Sequence, residues 1–129
     1  MFDRAAFDGP LRNLCIAEEI GVITYFSLAK GFLSGKYRSE ADLGLSPRGA
    51  GIKGYLNARG LGILAALDQI SERHGAKPAE VALAWLIARP GVTAPIASAT
   101  TTAQFDSLKK AASLKLTGED IAKLDQASR

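Results

Sequence analysis

The sequence has little cysteine and little histidine, and each shortage excludes a kind of site. A single cysteine, Cys15, cannot form an internal disulfide, which favours a reducing compartment. With His74 as the only histidine, a Cys/His zinc site or a triad that uses further histidines is not available, so we expect no metal. No apolar run reaches the ~18–20 residues that cross a bilayer. Residues 1–4 lack the basic-then-apolar pattern of a signal peptide, so we expect none. We therefore expect a soluble, cytoplasmic protein with no membrane partner.

The remaining composition is that of an ordinary globular domain. The 129 residues are 47% hydrophobic and 22% charged, which is enough for one core and excludes a disordered chain. We find no internal repeat and no low-complexity segment. The sequence therefore predicts one domain over residues 1–129.

Positive charge is concentrated in a glycine-rich stretch at residues 29–59. This stretch carries a charge of +4, although the whole chain carries only +3. Glycines let backbone amides approach a ligand closely, and cations attract an anion. A nucleic-acid surface more often has aromatics within a larger basic excess, so we expect no nucleic-acid partner. A solvated loop is the alternative interpretation. The cations are Lys30, Lys36, Arg38, Arg48, Lys53 and Arg59.

The first part of the chain is predicted to form a helix, a strand and a long loop. Asp8 is the expected N-cap of the helix, and Gly21 is expected to end it. Residues 22–26 are β-branched and aromatic, which is typical of a strand covered on both faces. The loop at residues 27–57 is long enough to suggest a functional role. The apolar face of the helix is expected to be formed by Leu11, Leu14 and Cys15.

Two helices and a second strand are predicted next. The first helix covers residues 58–74 and ends at Gly75, and the second begins at Pro78. The second helix is apolar on nearly all sides and should be buried, with Trp85 inside. Residues 92–96 form the second strand, in which Pro95 belongs on an edge or near a strand end. The inward residues of the first helix are Ile63, Leu67 and Ile70.

Two capped helices complete the predicted order. Thr101 and Gln104 have the spacing of a capping box, and so do Thr117 and Asp120. Leu116 and Ile121 flank the second cap as a hydrophobic staple. Phe105, Leu108 and Ala112 are expected to point into the core.

Strands that alternate with helices predict parallel pairing through right-handed crossovers. Two strands leave bare edges, so the sequence indicates part of a larger sheet. We expect the isolated chain to self-associate or to pair with further strands.

His74 lies in the last turn of a helix. Its favourable interaction with the helix dipole accounts for a histidine at this position without a catalytic role.

Three segments resemble the aldo-keto reductases, in the bacterial branch whose members also resemble potassium-channel β subunits. The strongest is residues 21–37, GVITYFSLAKGFLSGKY, which is similar to the family form G-V-I-A-Y-S-P-L-A-x-G-x-L-(S/T)-G-K-Y. Residues 78–86, PAEVALAWL, resemble a late helix of that family, and residues 95–104 resemble its last cofactor loop. The resemblance runs in order along nearly the whole chain.

The resemblance implies an α/β fold that is the C-terminal part of a (β/α)₈ TIM-type barrel, with strands seven and eight and their helices, rather than a complete barrel. It implies NADP as the cofactor, with NAD as the alternative, and a small aldehyde or ketone as the substrate of the complete enzyme. The catalytic residues of the family come from earlier strands, so the resemblance assigns no catalytic residue here.

The resemblance also places cofactor contacts on individual residues. Phe26, Ser27, Leu28, Ala29 and Gly31 fall at the pyrophosphate. Lys36 and Arg48 fall where the loop folds over the cofactor. Ser98, Thr100 and Gln104 fall at the adenosine 2′-phosphate, with the capping box as the alternative role of Gln104. Phe26-Ser27 replaces the usual Ser-Pro, and Leu108 replaces an adenine-contacting Asn.

Three functions follow as hypotheses. The first is a segment of an NADP-dependent aldo-keto reductase that contributes cofactor loops but no catalytic tetrad. The second is a non-catalytic nucleotide-binding or interaction module, because binding loops are present and an acid/base set is not. The third is a truncated product without independent function.

Overall fold

A computed structural model describes all residues, 1–129, as five helices and a two-stranded sheet. No helix combines the length and the apolar character that spanning a membrane requires. The helices are α1 (Pro10–Ala17), α2 (Ala58–His74), α3 (Pro78–Ile87), α4 (Thr102–Ser113) and α5 (Gly118–Ala127), and the strands are β1 (Ile23–Thr24) and β2 (Ala94–Pro95). Short 3₁₀ turns cover Arg4–Ala6, Ala29–Ser34, Glu40–Leu45, Gly49–Gly51 and Lys53–Tyr55.

Helix α2 has the predicted bounds and α3 begins at Pro78 as predicted, and local signals explain both. The Asn57 side chain accepts a hydrogen bond from the Gly60 amide at 2.9 Å and caps the start of α2. Gly75, with φ of 55°, ends α2 in the left-handed conformation. Pro78 occupies the first turn of α3, and the Glu80 carboxylate accepts a hydrogen bond from the Lys77 amide at 3.0 Å.

The core lies between the helices and the first turns of the long loop. Helix α3 packs between α2 and α4, and α5 packs on α2. Trp85 is fully buried, as predicted, and so are the inward residues of α2. Because this core is built by helices, the short sheet lies at its margin. The largest fully buried side chains of the core include Trp85, Tyr37, Phe32, Ile52, Ile63, Leu67, Ile70 and Leu124.

The two strands pair in parallel, as predicted, but are shorter than the sequence suggested. Ile23 lies opposite Ala94, and Thr24 lies opposite Pro95. Of the predicted strands at residues 22–26 and 92–96, only these two residues of each are paired. Each strand has a single neighbour, so the flanking residues lack the ladder that would hold them extended. The structure therefore contains a small parallel sheet and no closed barrel.

Helix α1 differs from its prediction at both ends. Its N-cap is Gly9 with φ of 123°, not Asp8. It ends at Ala17, because Glu19 adopts the left-handed conformation and the Ile20 amide bonds back to the Cys15 carbonyl at 2.8 Å. Gly21 is therefore not the residue that ends it.

The predicted apolar face of α1 is buried only in part. Cys15 is buried, whereas Leu11 and Leu14 are 51% and 54% exposed. A two-stranded sheet presents too little surface to cover the whole face. The expectation of a buried stripe was wrong for these two leucines.

Helices α4 and α5 confirm the predicted caps with one change. Thr117 and Asp120 form a complete capping box. Thr101 accepts a hydrogen bond from the Gln104 amide at 3.2 Å, but the Gln104 side chain bonds to Thr100 instead of returning to Thr101. The Thr101–Gln104 box is therefore only half formed.

The inward face of α4 was predicted with an error of one position. Phe105 is 55% exposed and Ala112 is exposed, whereas Ala111 is buried and Leu108 is partly buried. The main packing partner of α4 is α3. Packing mainly against one helix buries fewer positions than a fully apolar face would need.

An ion-pair network links the N-terminal segment to α3 and α5. The Arg89 guanidinium donates to both carboxylate oxygens of Asp8, at 2.6 and 2.7 Å, and to Asp125 at 2.9 Å. Arg4 bonds to Asp8 at 3.2 Å and to the Asp125 carbonyl at 2.8 Å. The attraction of Asp8 to Arg89 explains why it does not cap α1.

His74 takes part in a second cluster, with a buried carboxylate. Its Nε2 lies 2.8 Å from Oδ2 of Asp120, whose side chain is 1% exposed, and Arg73 also binds that carboxylate. Burial acts to raise the pKa of Asp120. Hydrogen bonds from Thr117 and His74 and the charge of Arg73 outweigh it, so the pKa of Asp120 lies below its usual value. His74 thus joins α2 to α5.

Acidification is expected to destabilise the protein through Asp120. A carboxyl with a lowered pKa in the folded state stabilises the fold above its unfolded pKa, about 3.8, and this contribution disappears as the pH falls through the folded value. Urea unfolding between about pH 7 and about pH 3 measures the loss. Asp120→Asn should lose less than the wild type, and the exposed control Asp106→Asn should behave as the wild type. Equal losses in all three proteins would contradict this role.

Candidate functional site

The chain leaves β1 through a turn in which several residues adopt left-handed backbone angles. Phe26, Ala29 and Lys30 have φ of 52°, 48° and 57°, and Gly31 has φ of 97°. Only glycine adopts such angles without cost, so three other residues here indicate a backbone held in place by its surroundings. Strained backbone of this kind is frequent at ligand sites. The turn is therefore the first part of the candidate site.

Internal contacts fix this turn. The Ser27 hydroxyl donates to the Thr24 carbonyl at 2.9 Å, and the Ala29 amide donates to the Phe26 carbonyl at 2.7 Å. Ser27 and Ala29 are buried, Leu28 and Gly31 are partly buried, and Phe26 is 61% exposed. Of the five predicted pyrophosphate residues, Phe26 therefore has the most accessible side chain.

An open cleft of about 460 Å³ lies beside the turn. It brings two predicted residues, Phe26 and Arg48, together with Lys30. The Lys30 ammonium lies 5.8 Å from the centre of the Phe26 ring. Two cations that line a cleft with an aromatic ring could hold an anion and offer it a flat apolar contact. The remaining lining residues are Pro47 and Gly51.

Lys30 was not among the residues assigned to the cofactor from the sequence. Its place in the basic stretch marked it as a cation, but the stretch holds five others. The left-handed angle at Lys30 and the fold of residues 47–51 bring it into the cleft, and neither can be read from residue type.

Lys36 lies outside the cleft. Its ammonium is 4.9 Å from the centre of the Tyr37 ring, which is fully buried. The Tyr37 hydroxyl lies 2.6 Å from the Ser46 hydroxyl, and this hydrogen bond, followed by the nearby Lys36, lowers the pKa of Tyr37 against the effect of burial. Ser46 also accepts a hydrogen bond from the Arg48 amide at 3.3 Å. Tyr37 thus helps to position Arg48.

A bidentate ion pair attaches the loop to α2. The Arg38 guanidinium donates to the two Asp68 oxygens at 2.6 and 2.8 Å. The Lys53 ammonium pairs with Glu40 at 3.2 Å on the surface. Arg38 and Lys53 are thus held in ion pairs outside the cleft. The cations that line the cleft are Lys30 and Arg48.

The second predicted group lies in the loop between β2 and α4. Oε1 of Gln104 accepts hydrogen bonds from the Thr100 amide at 2.8 Å and the Thr100 hydroxyl at 3.1 Å. Ser98, Thr100 and Gln104 are all exposed. The structure joins Thr100 to Gln104 but does not place Ser98 in that pair.

The two loops leave the same end of the sheet, but the second loop does not line the cleft beside the first. The Ile96 amide donates to the Thr24 carbonyl at 2.8 Å, so both chains pass out beside each other. None of Ser98, Thr100 and Gln104 lines the cleft of Lys30 and Arg48. The candidate site therefore has two neighbouring parts at the carboxyl ends of the parallel strands, where α/β folds place phosphate groups.

Comparisons with known proteins give consistent results. A family model described as the aldo/keto reductase family matches residues 2–129. An uncharacterised oxidoreductase of Mycobacterium tuberculosis is 39% identical over 115 residues, covering 84% of this chain and 33% of that protein. An aldo-keto reductase of Strobilurus tenacellus is 32% identical over 120 residues, covering 89% of this chain and 36% of that protein.

More distant relatives extend the same pattern. An L-glyceraldehyde 3-phosphate reductase of Escherichia coli is 28% identical over 114 residues, covering 83% of this chain and 33% of that protein. The crystal structure of a thermostable aldo-keto reductase with the inhibitor epalrestat superposes with a TM-score of 0.68 at 23% identity, covering 97% of this chain and 36% of that chain. The chain thus spans about one third of the length of the curated relatives it matches.

Proposed function

Since this chain belongs to the aldo/keto reductase family, we propose that it is the part of an NADP-dependent oxidoreductase that holds the phosphate groups of the cofactor. In this proposal it forms strands seven and eight of a (β/α)₈ barrel with their helices. It supplies no member of the catalytic tetrad. Reduction of a small aldehyde or ketone, in the cytoplasm, belongs to the complete barrel.

The observation that carries the proposal is the pair of cations at the cleft. Lys30 and Arg48 line the same open space beside a backbone turn with left-handed angles. Their charges suit a pyrophosphate, and Phe26 offers a flat surface against an apolar part of the cofactor. Gly31 lacks a side chain beside this turn, which leaves room for a close approach of the backbone.

The other assigned residues have more limited roles. Ser27, Leu28 and Ala29 hold the turn through buried contacts, so they are proposed to act through their backbone. Lys36 is proposed to steady the loop at Tyr37, which replaces the direct phosphate role expected from the sequence.

The 2′-phosphate is proposed to bind at the exposed loop of Ser98, Thr100 and Gln104. The Thr100 amide and hydroxyl are directed to Gln104 in this structure. NADP is proposed over NAD because of the family resemblance and the basic charge of the loop. NAD is the alternative.

The nicotinamide group would supply a hydride to a carbonyl carbon when bound. The residues of this chain bind and orient its phosphate end. Lys30 and Arg48 are proposed to act by attracting the phosphate charge.

Association with other strands is part of the proposal. Each strand of the sheet has one unpaired side, and unpaired edges promote association. The chain is therefore proposed to self-associate or to pair with further barrel strands.

NADPH binding tests the cleft directly. Titration of the purified chain with NADPH, followed by nicotinamide fluorescence, should show binding. Lys30→Ala and Arg48→Ala should each weaken the affinity about tenfold, or about 1.4 kcal/mol.

Lys53→Ala is the matched control, because Lys53 is a loop cation of the same stretch that pairs with Glu40 outside the cleft. Its affinity should equal that of the wild type. Equal weakening by all three substitutions would mean that only overall charge attracts the cofactor, and the cleft assignment would then be wrong.

A further inference from the structure

The side chain of Lys30 lies across a glycine of the long loop. A Cβ atom at position 51 would lie 3.4 Å from both the Cδ and the Nζ atoms of Lys30 and 4.0 Å from its Cε atom. The end of the lysine therefore passes over the bare backbone of Gly51. The same ammonium lies 5.8 Å from the centre of the Phe26 ring, and both neighbours line the cleft.

The backbone of Gly51 is held in place by the residues around it. Gly49 is buried so close to the Leu43 carbonyl that a side chain at position 49 would overlap it. Ile52 is fully buried in the core. The Gly51 amide donates to the Arg48 carbonyl at 3.0 Å, and the Ile52 amide donates to the Gly49 carbonyl at 2.9 Å. Packing on both sides of Gly51 thus fixes its position independently of Lys30.

The turn that carries Lys30 is fixed as well. Lys30 and Gly31 have φ of 57° and 97°. The Gly31 amide donates to the Leu28 carbonyl at 2.9 Å, and the Ser34 hydroxyl donates to the Gly31 carbonyl at 2.7 Å. A left-handed angle is costly for lysine and persists only where its surroundings impose it. The turn therefore directs the Lys30 side chain over Gly51.

The two cations of the cleft have no acidic partner. No acidic residue lines the cleft, and neither Lys30 nor Arg48 forms an ion pair in the structure. Arg38, by contrast, is neutralised by Asp68. Two unpaired cations on fixed backbone attract an anion that carries more than one charge, and a diphosphate can contact both at once.

We propose that Gly51 is a positioning residue of this cleft: because it lacks a side chain, the Lys30 ammonium can lie in the cleft and hold one diphosphate together with Arg48. A larger residue at position 51 would occupy the space of the Lys30 side chain and displace it into solvent. The cleft would then keep Arg48 as its one cation. The inference rests on the proposed function for the source of the diphosphate, the cofactor, and adds a residue that determines its affinity.

Inorganic pyrophosphate is the probe for the cleft, and its binding to the chain is measured by isothermal titration calorimetry. Gly51→Leu should weaken the affinity about tenfold, as Lys30→Ala should, because each removes the same cation from the cleft. Gly54→Leu is the matched control. A Cβ atom at position 54 would meet no atom within 4 Å, and Gly54 does not line the cleft. Its affinity should equal that of the wild type.

The double variant separates positioning from simple obstruction of the cleft. If Gly51 acts through Lys30, adding Gly51→Leu to Lys30→Ala should change the affinity by less than about twofold. A leucine that merely blocks the anion would cause the same tenfold loss with or without Lys30. That result would overturn the proposal.

Nuclear magnetic resonance of the wild type tests the placement without any variant. Nuclear Overhauser contacts are expected between the α protons of Gly51 and the δ and ε protons of Lys30, and their absence would refute the placement. Circular dichroism and urea unfolding check that Gly51→Leu folds as the wild type does. If it does not, Gly51→Val takes its place in the cycle.

NADPH is the second arm of the test. Displacement of pyrophosphate by NADPH, with the same substitutions weakening both ligands, supports the cofactor as the source of the diphosphate. Pyrophosphate binding without NADPH binding would refute the cofactor proposal while the role of Gly51 stands. Absence of pyrophosphate binding, unchanged affinity in Gly51→Leu, or an equal loss in Gly54→Leu would each overturn the role of Gly51.

Discussion

Replacing Trp85 with alanine is expected to lower the free energy of unfolding by about 3–5 kcal/mol. The indole is fully buried in the core, so its removal leaves a cavity. Its Nε1 also donates a hydrogen bond to Asp125 at 3.0 Å, and the Arg89 guanidinium lies 4.5 Å from its ring. The substitution therefore removes apolar contacts and one partner of the ion-pair network together.

Urea unfolding monitored by circular dichroism measures the effect. Ile87→Ala is the matched control, because Ile87 lies on the same helix and is 43% exposed. It should cost much less than Trp85→Ala. Trp85→Phe should fall between them, since phenylalanine keeps part of the ring volume but cannot donate to Asp125. A loss below about 1 kcal/mol for Trp85→Ala would mean that α3 is not packed as described.

The second large effect is an absence of turnover. The separate chain is expected to reduce no aldehyde or ketone with NADPH, because positioned proton donation is needed beside the carbonyl. His74 is bound to Asp120, and the residues that line the cleft are cations, an aromatic ring, a proline and a glycine. No histidine, tyrosine or carboxylic acid lines the cleft, so no acid/base pair lies beside it.

Loss of NADPH absorbance with a panel of small aldehydes and ketones measures the activity. The Escherichia coli L-glyceraldehyde 3-phosphate reductase is a positive control for the assay. Turnover by the highly purified chain at ~1–10³ s⁻¹ would show that these residues contain a complete catalytic set. Turnover that appears only when this chain is part of a complete barrel would support the assignment of catalysis to the whole fold.

Local chemistry explains which helices could be predicted from the sequence. Helices α2, α3 and α5 begin and end at residues whose effect acts within one turn, such as Gly75, Pro78 and Thr117. Burial of α3 followed from its nearly continuous apolar composition. In these cases neighbouring residues determine the outcome, and they are visible in the sequence.

The errors arose where distant residues decide the structure. Asp8 has the side chain of a good N-cap, but Arg89 lies 81 positions later and binds it. Leu11 and Phe105 have the spacing of a buried face, yet exposure depends on which surface lies opposite. The strands were predicted too long because a strand extends only as far as its neighbours pair with it.

In the candidate site, too, some features depend on neighbouring residues and others on distant ones. The strand-to-loop segments carried enough sequence signal to place both candidate loops at the ends of the strands, whereas their cofactor contacts stay a prediction. Lys30 lines the cleft because its backbone adopts angles that are rare for lysine. Lys36, which was predicted to contact the cofactor, lies instead over the ring of Tyr37. Residue type identifies a cation, but only the fold decides which anion it can reach.

The side chain of Arg59 holds residues near both ends of the sequence at one place. Its guanidinium donates to the carbonyls of Phe2, Ser128 and Arg129, at 2.9, 2.8 and 2.9 Å. Two termini this close can be joined by a short flexible linker with little strain. The chain is therefore well suited to circular permutation, with new termini opened in the exposed turn around Gly54, so that the order of its elements along the polypeptide can be changed while their contacts remain.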